Sequence, residues 1–247
     1  MKKYPRTEKY DNNWISENWM GPNPLWLLEE LCEHLDLKPG MKVLDMGCGK
    51  GITSVFLAKE FGVTVFANDL WISATENLKR FEEAGVADHV FPIHAEAHAL
   101  PYAEGFFDAA ISIDSYEYYG ADEVYFPCTY SKLVKQGGQF GIVVPGLTKE
   151  FDKGYPDTLA KYWHGDMYSF HSGEWWRRLW EKTGLVDITA CYDIPDPKEI
   201  WRPWADWAEV NFKNPDFTDT EFINADTNND LALIAMTAVK KQPATAE

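Results

Sequence analysis

From residue 23 onward the apolar positions follow two alternating rhythms. "NPLWLLEELCEHLDL" sets its apolar residues at helical spacing, with Asn23 as N-cap and Pro24 in the first turn. "PGM" ends that helix, and "KVLDMG" reads as a short buried strand. "ITSVFLAKEF" is the next helix, closed by Gly62, and "VTVFAND" the next strand. The alternation continues with a helix in "SATENLKRFEEAG" and a strand in "HVFPIHA". "FDAAISID" predicts a fourth strand, "DEVYFPCTYSKLVKQGG" a helix blemished by Pro127, and "QFGIVVPG" a fifth strand. Strands joined by helical crossovers imply a parallel sheet with helices on both faces.

Residues 147–170 break the rhythm: "LTKEFDKGYPDTLAKYWHGDMYSF" is aromatic and has no clean period. It resumes as a helix in "HSGEWWRRLWEKTG", a strand in "VDITACYDI", a helix in "KEIWRPWADWAEV" that Pro203 interrupts, and a closing strand in "DLALIAMTAV". The end, "KKQPATAE", reads as a frayed tail. The chain thus divides into an N-terminal segment (1–22), a core (23–146), a cap insertion with its helix (147–184), and C-terminal elements that complete the sheet (185–247). A chain of 247 residues fits one large domain with a small cap.

Composition narrows the partners. No apolar run approaches the roughly 18 residues of a membrane span, and the start lacks the apolar stretch of a signal peptide. The formal net charge is −16, with no Lys/Arg cluster, so phosphate backbones are repelled. Nucleic acid and membrane are therefore not expected, and a neutral, cationic or zwitterionic small molecule fits better. Cys32, Cys48, Cys128 and Cys191 lack metal-ligand spacing, and the histidines form no ligand pattern. This reads as a cytoplasmic protein with reduced thiols and no metal. The oligomeric state is left open.

The chemistry starts in "VLDMGCGKG", residues 43–51, where glycines follow a strand and open a helix. In an open parallel sheet this is where ligands bind. Dinucleotide folds, phosphate loops and nucleoside-sulfonium sites all use such a pattern. No "GK[ST]" follows, which disfavours a phosphate loop. Asp45 before the glycines suits a ligand with an ammonium group better than a pyrophosphate. Asp69, ending the next strand, stands where an acid accepts from both ribose hydroxyls.

Taken together, "VLDMGCGKG…VFANDL…HAEAHALPY…FFDAAISID…LVKQGGQFGIV" resembles the class I S-adenosylmethionine-dependent methyltransferases. The likeness runs to the branch acting on quinones, sterols and phosphoethanolamine, together with cyclopropane fatty-acid synthases. It implies a Rossmann-like, doubly wound, seven-stranded, mostly parallel sheet with a small aromatic-rich cap, and S-adenosyl-L-methionine as cofactor. By the resemblance, Asp45, Gly47, Cys48 and Gly49 shape the pocket for the methionine part. Asp69 binds the ribose, and Leu70 and Trp71 flank the adenine. Glu96, where the family commonly has Asp, accepts from the adenine amino group, and the Ala97 N–H reaches a ring nitrogen. Asp114 lies beside the cofactor's amino group and the substrate entrance.

Transfer from a sulfonium is a direct displacement, and a base is needed only if the nucleophile starts protonated. "DSYEYYG", residues 114–120, is the expected source of Asp114, Tyr116, Glu117 and Tyr118 at the acceptor. Glu117 matches the acid of the cyclopropane synthases' anion-binding cluster, but Tyr118 stands where those enzymes carry His. The competing reading is that Glu117 only starts a helix. Aromatic residues make up 15% of the chain, including eleven Trp, and suit a cationic ligand. Tyr10, Trp14 and Trp19 are expected to close over the site, and His171 to line it. The alternatives are carbon methylation of a lipid, a non-catalytic cofactor-binding protein, and a nicotinamide dehydrogenase, which the acid before the glycines opposes.

Overall fold

The computed structural model describes residues 3–212 and 218–242; the end of the expected tail, 243–247, lies outside them. Short elements precede the regular part: a 3-10 turn at Thr7–Lys9 and helix α1, Asn12–Asn18, capped by Asp11 accepting from the Trp14 N–H. Helix α2, Pro24–Cys32, starts as expected, the Asn23 side chain accepting from the N–H groups of Leu25 and Trp26. Then follow β1 (Lys42–Met46), α3 (Ile52–Phe61), β2 (Thr64–Asp69), α4 (Ala74–Glu83), β3 (Val90–His94) and β4 (Phe107–Ile113). A Ser73–Glu76 capping box starts α4.

The segment after β4 departs from the sequence pattern. A short helix α5, Glu117–Gly120, is followed by a π-helical turn, Phe126–Tyr130, and by α6, Ser131–Leu133. Strand β5 then runs Val134–Leu147, so Val134–Gly138 are strand and bulge rather than the helix end that the spacing predicts. Between the pairs Phe107↔Val134 and Ala109↔Gln139 the register shifts, and the intervening residues bulge out. Lys240 ends the helix: its Nζ donates to the carbonyls of Ser131 and Val134 at 2.7 Å. In the cap, 3-10 turns at Asp157–Leu159 and Gly165–Ser169 precede α7 (Gly173–Glu181), β6 (Val186–Asp193) and α8 (Pro197–Asn211). Helix α8 passes through Pro203 rather than stopping there. Helix α9, Asp219–Ala225, which the periodicity did not predict, precedes the last strand, β7 (Leu231–Lys240).

The sheet order is β3-β2-β1-β4-β5-β7-β6. Strands β1 to β5 pair parallel, and β7 runs antiparallel to both β5 and β6. Successive residues point to opposite faces, and both faces are buried. Val43, Val65, Ala109 and Val143 join α2, α3 and α4 in one core. Leu44, Ala110, Ile142 and Val144 join Tyr116, Phe126, Trp176 and Trp180 in the other. The order reverses between β1 and β4, so a crevice opens at their carboxyl ends, where Gly47, Asp69 and Asp114 stand.

Candidate active site

The turn after β1 is built by a glycine that nothing else could replace. Gly47 has φ +72°, and a Cβ there would lie 1.8 Å from Ser115 Oγ. The turn's donors are spent inside the protein. The N–H groups of Gly47 and Cys48 both donate to Asn68 O, at 2.8 and 3.0 Å, and that of Gly51 to Cys48 O. Gly49 N–H donates to Asp69 Oδ2 at 2.8 Å. A phosphate nest needs such N–H groups free. Here they are closed off, and the groups around them are acids.

Asp45 sits behind the turn rather than on the cleft wall. It is 1% exposed, and its Oδ2 accepts from Thr53 Oγ1 (2.7 Å) and Ser54 Oγ (2.5 Å), pinning the first turn of α3. Oδ1 has no partner. Burial pushes its carboxyl up to about 6 against the pull of those hydroxyls. The negative charge at the α3 N-terminus is therefore the protein's own.

In front lies an open cleft. One end is walled by Asp69, Leu70 and Trp71 after β2 and by Glu96, Ala97 and His98 after β3. Asp69 Oδ1 accepts from the N–H groups of Trp71 and Ile72, at 2.7 and 2.8 Å, which fixes the carboxylate at the strand end. Glu96 is turned onto its own loop, accepting from His98 N–H and Nδ1, and the His98 bond holds its carboxyl below the usual range. Cys48 also lines the cleft; burial holds its thiol protonated.

The other end is walled by Asp114, Ser115, Tyr118 and Tyr119, and closed by Asn18, Met20 and Gly21 of the N-terminal segment. Asp114 has φ +53°, a conformation that side chains rarely adopt. Burial and the charge of Asp219 push its carboxyl up to about 7. Gly21 presses against it: a Cβ on Gly21 would fall 1.8 Å from Asp114 Oδ2. Tyr119 OH bonds to Ser112 Oγ, Ser115 Oγ and Met46 O, tying this end to the Gly47 turn. Tyr118 meets Trp71 edge-on with ring centroids 5.4 Å apart, so one aromatic corner joins the two ends. Glu117 is 3% exposed, its Oε2 has no partner, and burial and Asp114 raise its carboxyl well above the usual range.

The structure thus gathers Gly47, Cys48, Gly49, Asp69, Leu70, Trp71, Glu96, Ala97, Asp114 and Tyr118 around one cleft. Asp45 and Glu117 lie behind its wall. Tyr116 is fully buried among Tyr130, Trp176 and Trp180 in the second core, not in the cleft. Tyr10 packs on Trp14 and Phe56 with its OH toward Glu60, and Trp19 packs edge-on against Trp204 and Trp207. His171 stacks on Trp175 and bonds to Glu150, away from the cleft. Sequence reasoning missed Asn18, Met20, Gly21, Asn68 and Tyr119. Asn68 beside Asp69 was the one with a local signal, since consecutive residues at a strand's carboxyl end share the crevice.

The fold, with β7 reversed and the crevice at the β1/β4 switch, is like that of solved methyltransferases. Residues 43–138 match the family described as a methyltransferase domain. Among curated relatives, "Methyltransferase GfsG" of Streptomyces halstedii is 38% identical over 90 residues, 36% of this chain and 32% of the relative. Sterol 24-C-methyltransferase of Yarrowia lipolytica is 24% identical over 214 residues, 84% of this chain and 52% of the relative. The chain thus spans between about a third and about half the length of these relatives. A solved Haemonchus contortus phosphoethanolamine N-methyltransferase 2, in complex with phosphomonomethylethanolamine and S-adenosylhomocysteine, superposes with a TM-score of 0.73 at 21% identity. That likeness covers 98% of this chain and 61% of the other.

Proposed function

We propose that this chain is an S-adenosylmethionine-dependent methyltransferase for a small-molecule acceptor. One observation carries the reading: Gly47, Cys48, Gly49 and Gly51 donate their N–H groups to Asn68 O, Asp69 Oδ2 and Cys48 O, and a buried Asp45 stands at the helix start. That environment opposes a pyrophosphate and suits an adenosyl ligand whose other end is a cation. The partly free lone pairs of Asp69 receive the ribose hydroxyls. Leu70 and Trp71 border the adenine, and Glu96 and Ala97 meet its edge. Gly47, Cys48 and Gly49 give the methionine part a close approach to the main chain, with Asp114 near its ammonium group and Asp45 acting from behind the turn. Bound there, the cofactor supplies an electrophilic methyl on sulfur, and the C–S bonding pair stays with the sulfur.

The remaining roles belong to the chain. Gly21, Met20 and Asn18 cover the cleft and exclude water, and Tyr118 with Trp71 borders the acceptor. Asp114, with a carboxyl near neutrality, takes the acceptor's proton where it has one to lose. Glu117 stays buried behind the wall, its carboxyl raised by burial and by the nearby Asp114. Residues 1–22 act as the cover, 23–146 as the cofactor core, and 147–184 with the C-terminal helices as the acceptor-side cap. Four free cysteines suit the reducing cytoplasm. Among the described residues, no helix is long and apolar enough to cross a membrane. Calorimetric titration tests the reading: S-adenosylhomocysteine binds at one site per chain and NAD does not. Binding of NAD with no heat from S-adenosylhomocysteine overturns it.

A further inference from the structure

One tyrosine touches the supports of both ends of the cleft. Tyr119 lines the cleft beside Asp114 and Ser115, and its hydroxyl stands among three oxygens: Ser112 Oγ at 3.0 Å, Ser115 Oγ at 3.3 Å and Met46 O at 3.3 Å. The protons can be assigned. Ser112 Oγ gives its own to Met46 O at 2.8 Å, and Ser115 Oγ donates to the Tyr119 oxygen. The single phenol proton therefore goes to Met46 O or to Ser112 Oγ. Met46 ends β1, immediately before Gly47. The Tyr119 ring meets Tyr125 with centroids 5.2 Å apart, and Tyr125 OH donates to Ala97 O at 3.4 Å while its ring meets His98 at 4.8 Å. Ala97 and His98 wall the far end of the cleft. Ring and hydroxyl thus serve different ends.

Two further observations show what hangs on the hydroxyl. Ser115 sits directly on Gly47, whose absent Cβ would lie 1.8 Å from Ser115 Oγ and 3.6 Å from Tyr119 OH. The residue before Ser115, Asp114, keeps a left-handed backbone at φ +53° and donates its N–H to Val143 O at 2.7 Å. A strained residue persists in such a conformation only where its surroundings over-determine it. On one side that support is β5; on the other it is Ser115, whose hydroxyl is tethered to Tyr119. A phenylalanine would keep the rings packed but leave Ser115 without its acceptor, free to turn away from Gly47. We propose that Tyr119 is a positioning residue: its hydroxyl locks the Asp114–Ser115 loop onto the Gly47 turn and so shapes the part of the cleft that takes the amino-acid end of the cofactor. The nucleoside end does not depend on that hydroxyl, because Asp69 and Glu96 are fixed by N–H groups of their own loops. This rests on the methyltransferase reading and adds to it a residue that acts through Ser115 and Gly47.

The test separates the two ends of the ligand. S-Adenosylhomocysteine carries both, whereas 5′-methylthioadenosine has the nucleoside and the sulfur and lacks the amino-acid end. Both are titrated by calorimetry into the full chain, its Tyr119→Phe and Ser115→Ala variants and the double variant. Where 5′-methylthioadenosine binds too weakly to titrate, it is read as a competitor of S-adenosylhomocysteine. Tyr119→Phe weakens S-adenosylhomocysteine by about threefold to tenfold, the scale of one neutral hydrogen bond, and leaves 5′-methylthioadenosine within about twofold. Ser115→Ala acts in the same direction, and the double variant loses less than the product of the two single losses, since both remove the same bond. A hydroxyl that only supports the core weakens both ligands together or neither, and either result overturns the proposal, as do single losses that multiply in the double variant. Should Tyr119→Phe fail to fold, Ser115→Ala decides by the same comparison of the two ligands. Failure of the unmodified chain to bind S-adenosylhomocysteine is a failure of the methyltransferase reading instead.

Discussion

Asp114 pays twice for its place: a left-handed backbone costs roughly 1–2 kcal/mol, and its carboxyl is pushed to about 7 by burial and by Asp219. An acid whose folded value exceeds its unfolded one binds more protons in the folded state than in the unfolded between those two values. Its contribution to stability therefore falls as pH rises through that window, from about 4 to about 7. Asp45, raised to about 6, adds a loss of the same sign. The ligand-free chain should lose stability from pH 5 to pH 8. Asp114→Asn should flatten that slope and exceed the parent in stability at pH 8. Urea unfolding at the two pH values measures both, and a variant with the parent's slope contradicts the assignment. Cys48 illustrates a residue legible only in part: the glycines around it mark a turn, but only the fold reveals that its thiol is buried and held protonated.

At the scale of elements, the N-terminal segment is tied down by one buried acid. Glu29 of α2 accepts from Arg6 N–H (2.8 Å), Thr7 N–H (2.7 Å) and Thr7 Oγ1 (2.7 Å). Further along, Lys50 Nζ holds Glu17 O and Gly21 meets Asp114. Glu29→Ala leaves two N–H donors unsatisfied and should cost about 2–4 kcal/mol. It should also speed amide exchange across residues 4–21, seen by mass spectrometry; unchanged exchange there would show that the segment is held elsewhere. The helices α2 and α4 carry their caps, Asn23 and Ser73, at their starts, and α3 is closed by Gly62, so all three had local signals. The end of α6 had none, because Lys240 terminates it from more than a hundred residues away. Helix α9 had a local signal in "TDTE", the Thr218–Glu221 capping box, but its apolar period is too short to announce a helix.

For the whole molecule, the alternation of strands and crossovers was enough to give a parallel sheet, and the glycine turn with Asp69 was enough to point to one end of the cleft. The other end was legible only in Asp114 and Tyr118; Asn18, Met20 and Gly21 were out of reach, since they come from a separated segment that only the folded chain brings to the cleft. The aromatic load misled in the same way. Tyr116, Trp176 and Trp180 fill the core, while Trp71 and Tyr118 reach the cleft. A large ring fits a packed interior and a cation site equally well, and periodicity does not separate the two. A crystal structure of the chain grown with S-adenosylhomocysteine tests the central claim most directly. The account predicts an adenosyl group between Asp69 and the Glu96–Ala97 turn, its amino-acid end against Gly47–Gly49 and its sulfur toward Asp114. Density for the ligand outside this cleft, or with its ribose turned away from Asp69, would contradict it.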